Sequence, residues 1–450
     1  MRSRHAAKRV PNSWISETGT GPRATSSHKT CCRPQRFPDC REVALKIKNA
    51  KVWMGGNALE ERDIGIDGTR FVAPETLGPE TEIIDGKGLT ILPGLINAHV
   101  HFCLDGSNDS VTRLMNEAHL TTAYRAAAAA EDTLRAGTTT VRDVGCSGAI
   151  GIYLKKAIDA GFVRGPRMLA SGPCIVMTGG HNRFIGVEVD GVEEARKAAR
   201  LNLKMGADLI KVVSTGGVIT SGVEPEHVQL SAEEMKAAVD EAHNCGKHAA
   251  SHAQGEQGIA NSLEAGVDTI EHGIYLTPLL IEKMLKQGSV LVPTLTPMRR
   301  ILLNSGKEKL TDYAVEKMRR TSKPWLESFR KAIAAGIPII AGTDAGTPGN
   351  PHGSVAVEVK FMVEAGMSEE LALKSATSIA AEAIGLGGKV GQIQDGYFAD
   401  LIFVRGNPLE DIRTLDNLCG VMKDGEMIWF DPTAKDGSIS KGFKTAASAR

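Results

Sequence analysis

The feature that most constrains this chain is an alternation. Between residues 91 and 346, eight strand-like apolar runs are separated by helical stretches. The runs lie at 91–101, 138–146, 166–175, 208–217, 247–255, 269–276, 290–298 and 337–346. Strands alternating with helices build parallel sheets through right-handed crossovers. Eight such units with no ninth strand predict a distorted (β/α)8 TIM barrel rather than an open doubly wound sheet. The stretches "TAYRAAAAAEDTLRAG", "GVEEARKAARLNLKMGA" and "SAEEMKAAVDEAHNCG" each end at Gly or Gly-Ala, as helices often do. Ser231 with Glu234 predicts a capping box before the third. The uncharged stretch 332–343 reads as a buried strand with its preceding turn, and "GKEKLTDYAVEKMRR" as a solvated loop and helix face.

Both flanks are β-rich. "VALKIKNAKVWMGG", "DIGIDGTRFV" and "TEIIDGKGLTILPGL" predict a small antiparallel sheet, and "GQIQDGYFADLIFVRG" with "VMKDGEMIWF" returns to the same style near the end. The predicted division is a β-sandwich from 43–92 plus 389–432, a catalytic barrel over 93–388, and a tail over 433–450. Residues 1–42 contain many Arg, Ser, Thr and Pro and no apolar core of a secretory signal. They read as a disordered extension in preference to an organelle transit peptide.

Composition excludes several functions. Lys+Arg and Asp+Glu are both 53, so the formal net charge is zero, which argues against nucleic-acid or polybasic membrane partners. No apolar run reaches the ~20 residues of a membrane helix. Aromatics are 4% of the chain while Gly numbers 49, so small residues must dominate the packing. Eight cysteines in so long a chain read as free thiols in a reducing compartment, and a cytoplasmic location is expected. No GxGxxG follows a strand and no GxxxxGK[ST] is present, so phosphate cradles are unsupported.

Active sites of such barrels lie at the C-terminal ends of the strands. The first run ends in "NAHVH", and residues two apart on a strand share a face, so His99 and His101 could share one metal. The fifth run offers His252, the sixth His272 and the eighth Asp344. Each alone reads as a hydrogen-bonded core histidine or a helix-capping aspartate. Together they suit Zn²⁺ or another first-row divalent ion. The fourth run, "ADLIKVVSTGG", buries Lys211 among apolar neighbours, where the ammonium is disfavoured. It could snorkel out or pair with Asp344; alternatively a neutral amine there can react with CO₂ to give an anionic oxygen ligand.

In these residues the chain resembles the amidohydrolase superfamily. "LPGLINAHVHF", "LIKVVSTGG" and "AGTDAG" look most like its imidazolonepropionase-related branch, which includes prolidase-like Xaa-Xaa dipeptidases and ochratoxin-type amidases. The resemblance spans about residues 43–432 and does not require the N-terminal extension. It implies two divalent metal ions, expected to be Zn²⁺. His99, His101 and Asp344 would hold one, His252 and His272 the other, and N6-carboxylysine at Lys211 would join them. A metal-bridging hydroxide would attack the carbonyl, with Asp344 as general acid and base. His181, in "MTGGHNRF", would contact the substrate carbonyl or carboxylate, and Tyr275 could donate to the developing oxyanion, each with an ordinary loop or packing reading beside it. Arg183 and Arg142 could pair a substrate carboxylate, though a salt-bridge role is the stronger reading for both.

The resemblance implies an enzyme that hydrolyses peptide or N-acyl amino acid bonds, on a small-molecule or dipeptide substrate with a free carboxylate, and a homo-oligomer, as related enzymes commonly are. The alternative is a cyclic amide or lactone hydrolase. A deaminase is disfavoured because Gly255 stands where related deaminases carry the Glu of HxxE. An inactive scaffold relative is disfavoured because all six candidate ligands are present.

Overall fold

A computed structural model of the chain describes residues 44–304 and 311–431. The expected extension at 1–42 and tail at 433–450 lie outside the described residues, as do Cys31, Cys32 and Cys40. The middle of the chain is a TIM-barrel-like α/β layer of parallel strands. Leu95–Val100, Thr138–Asp143 and Arg167–Ala170 pair in sequence order. Cys174–Met177, Leu209–Val213, His248–Ala253, Thr269–His272 and Val290–Val292 pair in a second parallel run. Gly186–Val189 adds a strand beside Cys174–Met177 that the eight-unit reading did not contain.

Three predicted strands differ from expectation. The third is split, because Gly172 takes a left-handed φ of 72° and Pro173 has no N–H to donate. The seventh ends at Val292, and 294–298 turn into the helix Leu295–Asn304, where the backbone at Thr294 is already left-handed. The eighth is an irregular segment. Ile339 bridges Leu291 and Ala345 bridges Val100, and Ala98 N donates to Ala341 O at 2.8 Å. Residues 332–335, expected in the turn before that strand, instead finish the helix Asp312–Ala335.

The helices pack through small residues, as the scarcity of aromatics requires. Val192–Met205 buries Ala195, Ala198 and Ala199; its neighbour Ala232–Asn244 buries Ala237, Ala238 and Ala242. Ser231 Oγ accepts from Glu234 N, and the Glu234 carboxylate accepts from Ser231 N, so the capping box forms. No helix among the described residues is long and apolar enough to cross a membrane.

Both chain ends build the separate β part. One sheet orders Arg70–Val72, Ile64–Asp67, Leu45–Lys48 and Glu82–Asp85. The other joins Leu59–Glu61, Lys51–Trp53 and Thr90–Pro93 to Leu401–Val404, Leu418–Lys423 and Glu426–Phe430. The sheets are mixed rather than purely antiparallel, since Leu45–Lys48 runs parallel to Glu82–Asp85 and Lys51–Trp53 parallel to Thr90–Pro93.

Gly94 is the joint at which the chain leaves Thr90–Pro93 and enters the first barrel strand. A methyl group there would sit 2.1 Å from Thr139 Oγ1 and 2.6 Å from its Cγ2. Gly94→Ala is therefore expected to destabilise by ~1–3 kcal/mol through overpacking. Thr139→Ala in the same chain should recover only part of that loss, since the Thr139 Cβ stays 2.8 Å from the added methyl, as read by the denaturant midpoint.

Candidate active site

Strand register assembles the site. Val213 pairs with His252, His252 with Glu271, and Ala253 with His272, so the C-terminal ends of three strands stand level. His99 and His101 end the first strand, and Asp344 N donates to His99 O at 2.8 Å. His272 and Asp344 take φ values of 72° and 54°. A non-glycine residue in that region costs roughly 1–2 kcal/mol. At His272 the turn breaks the strand's alternation, so Glu271 and His272 both reach His99. The Glu271 Oε2–His99 Nδ1 distance is 2.6 Å, and the His272 and His99 ring centres are 5.2 Å apart.

The imidazoles are individually held. His101 Nδ1 meets Gly145 O at 2.8 Å, His252 Nε2 meets Gly216 O at 3.0 Å, and His272 Nδ1 meets Thr294 Oγ1 at 2.7 Å. His272 Nε2 and His252 Nδ1 lie 2.9 Å apart. Asp344 Oδ1 stands 3.4 Å from His99 Nε2 and 3.2 Å from His101 Nε2. Burial opposes the charge of Asp344, but the His101 and His99 hydrogen bonds hold its carboxyl well below the usual range. Burial, with cationic neighbours, pushes His252 and His272 well below the ordinary histidine value.

Lys211 is 1% exposed, and its Nζ has no hydrogen-bond partner among the described residues. Burial pushes its ammonium below the ordinary lysine value. An orphaned amine in such a place is costly unless it is neutral or modified. One ligand atom each from His99, His272 and Asp344 lies within 4.8 Å of the others. Imidazoles and a carboxylate at that spacing, beside a buried free amine, fit divalent metal binding.

Above these groups opens a cleft of about 550 Å³ that includes solvent. His99, His101, His181, His252, His272 and Asp344 line it, as do Ile301, Met318 and Trp325. His181 is 3% exposed, not a solvated loop residue; its Nδ1 meets Thr220 Oγ1 at 2.7 Å, and burial pushes it down to about 3. Tyr275 and Arg183 are not among the lining residues. The Tyr275 hydroxyl donates to Glu226 Oε1 at 2.7 Å, and burial together with that carboxylate pushes it up to about 12. Arg183 is exposed and, among the described residues, donates to Gly180 O at 3.5 Å. Among the described residues no Lys or Arg side chain lines the cleft.

Sequence reasoning missed Glu271, which sits beneath His99 paired with Arg142 at 2.8 Å. An acidic residue inside the apolar sixth run was the available signal, the same one that singled out Lys211. Reading "GKEKLTDYAVEKMRR" as a solvated face also fails at Lys317. That side chain is buried, and its Nζ donates to Thr220 O and Val223 O at 2.9 and 2.5 Å. It anchors the segment carrying Val218 and Ile219 into the cleft wall.

Residues 90–428 match the amidohydrolase family. Ochratoxinase of Aspergillus niger is 32% identical over 381 residues, covering 78% of this chain and 76% of that protein. An imidazolonepropionase of Symbiobacterium thermophilum is 25% identical over 394 residues, covering 80% and 86%. The crystal structure of a Xaa-Pro dipeptidase with bound methionine in its active site superposes with a TM-score of 0.78 at 32% identity, covering 85% of this chain and 99% of that one.

The helix Leu295–Asn304 carries Pro297 and Ile301 into the cleft wall, and buried Glu358 caps its start. Glu358 accepts from Leu295 N at 2.7 Å, Thr296 N at 2.8 Å and Thr296 Oγ1 at 2.5 Å. Burial pushes its carboxyl from an ordinary 4.5 up to about 7. Between those values the folded state holds a proton that the unfolded state has released, so stability from this group falls as pH rises. The stability of wild type relative to Glu358→Gln should therefore decline from pH 4.5 to pH 7. A pH-independent difference in denaturant midpoints would contradict this.

Proposed function

The chain belongs to the amidohydrolase family, and on that premise we propose that it hydrolyses amide bonds in small molecules that present apolar groups to the cleft. The observation that supports this most is the convergence of His99, His101, His252, His272 and Asp344 on one cleft, with Lys211 buried nearby and unpaired among the described residues. In this reading His99, His101 and Asp344 would hold one divalent ion and His252 and His272 a second. Lys211, carboxylated by CO₂, would add oxygen ligands. Zn²⁺ suits such donors. When bound, the ions supply Lewis acidity toward the scissile carbonyl and make a water acidic enough to attack it near neutral pH.

The chain's own residues do the rest. Asp344, anionic and facing the cleft, takes a proton from the attacking water at a carboxylate oxygen and returns it to the leaving nitrogen. His181 stays neutral through the working pH range and orients a substrate carbonyl without adding charge. Apolar side chains of Ile301, Met318 and Trp325 exclude water from the bound amide and receive its apolar groups. Tyr275 and Arg183 have no part in this reading.

Ochratoxinase and the Xaa-Pro dipeptidase support amide or peptide cleavage. A free substrate carboxylate, expected from the sequence, would meet no lysine or arginine among the described lining residues, where donors such as Asn182 and Gln254 could bind it. The same absence favours, as a second reading, an uncharged cyclic amide or lactone.

A hydrolysis screen tests both. Dipeptides and N-acyl amino acids with apolar side chains should be cleaved by zinc-loaded protein, and activity should vanish on chelation or in Lys211→Ala. Cleavage of cyclic amides or lactones alone would select the second reading, and no cleavage of any of them would overturn the proposal. Met318→Ala should lower kcat/KM for apolar substrates about tenfold, ~1.4 kcal/mol, with little change for small polar ones. An equal loss across all substrates would remove Met318 from the specificity wall.

A further inference from the structure

Below the proposed metal ligands runs a chain of buried polar groups that crosses the barrel interior. Arg142, on the second barrel strand, is 2% exposed, and each of its guanidinium nitrogens has a partner. Nε donates to Ala98 O at 2.7 Å, one terminal nitrogen to Thr269 Oγ1 at 3.1 Å, and the other to Glu271 Oε1 at 2.8 Å. Thr269 Oγ1 donates to the same Glu271 oxygen at 2.6 Å. With Oε1 doubly engaged, Oε2 is left facing His99 Nδ1 at 2.6 Å. The other candidate histidine ligands are backed differently, His101 and His252 by peptide carbonyls and His272 by a threonine hydroxyl.

We propose that Glu271, clamped by Arg142 and Thr269, is a positioning residue that holds the His99 proton on Nδ1 and presents the Nε2 lone pair to the cleft. Which imidazole nitrogen carries the proton is set by the hydrogen bond the other makes. A carboxylate at 2.6 Å outcompetes Asp344 Oδ1, which stands 3.4 Å from Nε2. The carboxylate also makes the imidazole a stronger donor than a carbonyl partner would. Arg142 compensates the carboxylate, so a full negative charge can stay buried under the site without an open hydrogen-bonding position. The metal-ligand part of this inference rests on the function proposed above; the location of the proton does not.

The test begins with metal-free protein labelled with ¹⁵N in histidine, held alkaline enough that its imidazoles are neutral. Nitrogen–proton correlations, with His99→Gln assigning the signal, should show wild-type His99 protonated at Nδ1. Glu271→Gln should shift that tautomer and weaken Zn²⁺ binding, measured against a competing chelator, by roughly 10- to 100-fold. If the single variant fails to fold because Arg142 is left unpaired, Arg142→Met with Glu271→Gln removes the stranded cation and keeps both readouts. A wild-type proton on Nε2 overturns the proposal. So does a variant that loses thermal stability but keeps both the tautomer and the Zn²⁺ affinity, since Glu271 would then be structural only. Wild-type protein that takes up no Zn²⁺ would sink the metal reading, and the tautomer measurement would still decide this one.

Discussion

Hydrogen-bonded register between parallel strands decides which side chains meet at the mouth of this molecule. Parallel pairing carries Val213 to His252, and His252 to Glu271, so residues far apart in the chain rise to one level. A slip of one residue on any strand would turn its ligand away from the cleft. Two departures from regular backbone refine the arrangement. Left-handed turns at His272 and Asp344 aim side chains that a straight strand would send elsewhere. The surrounding pairing holds those conformations in place despite their cost.

Charge is buried here in two contrasting ways. Glu271 and Arg142 compensate each other inside a hydrogen-bonded network that leaves no guanidinium nitrogen open. Lys211 is buried to the same degree with no hydrogen-bond partner among the described residues. A stable fold tolerates the first because each charge is matched, and the second only if the amine is neutral or chemically altered. The contrast separates a group proposed to orient from a group proposed to react.

The cleft wall is set by elements outside the strands. Lys317 ties the segment bearing Val218 and Ile219 to the helix Asp312–Ala335, and Glu358 caps the helix bearing Pro297 and Ile301. Both anchors are polar groups spent on backbone atoms, which leaves the wall itself apolar. In the proposed function, substrate selection by such a surface would rest on shape and desolvation.

The sequence by itself determined the alternating architecture, the β-rich flanks and the histidines, lysine and aspartate of the site. Periodicity and local polarity carry that information, because a charged residue inside an apolar strand run is conspicuous wherever the strand finally sits. "TIEHG" held the same signal for Glu271, but without knowing that Arg142 reaches it across the interior, its meaning was closed. Strand ends were legible only to a few residues, and the third, seventh and eighth runs broke where glycine, proline or left-handed backbone intervened. Tertiary structure alone decided that Tyr275 bonds Glu226 instead of facing the cleft, that Lys317 is buried, and that among the described residues no lysine or arginine lines the cavity. Those outcomes depend on where helices and loops pack in three dimensions, and no local pattern encodes a contact between residues 49 or 100 positions apart.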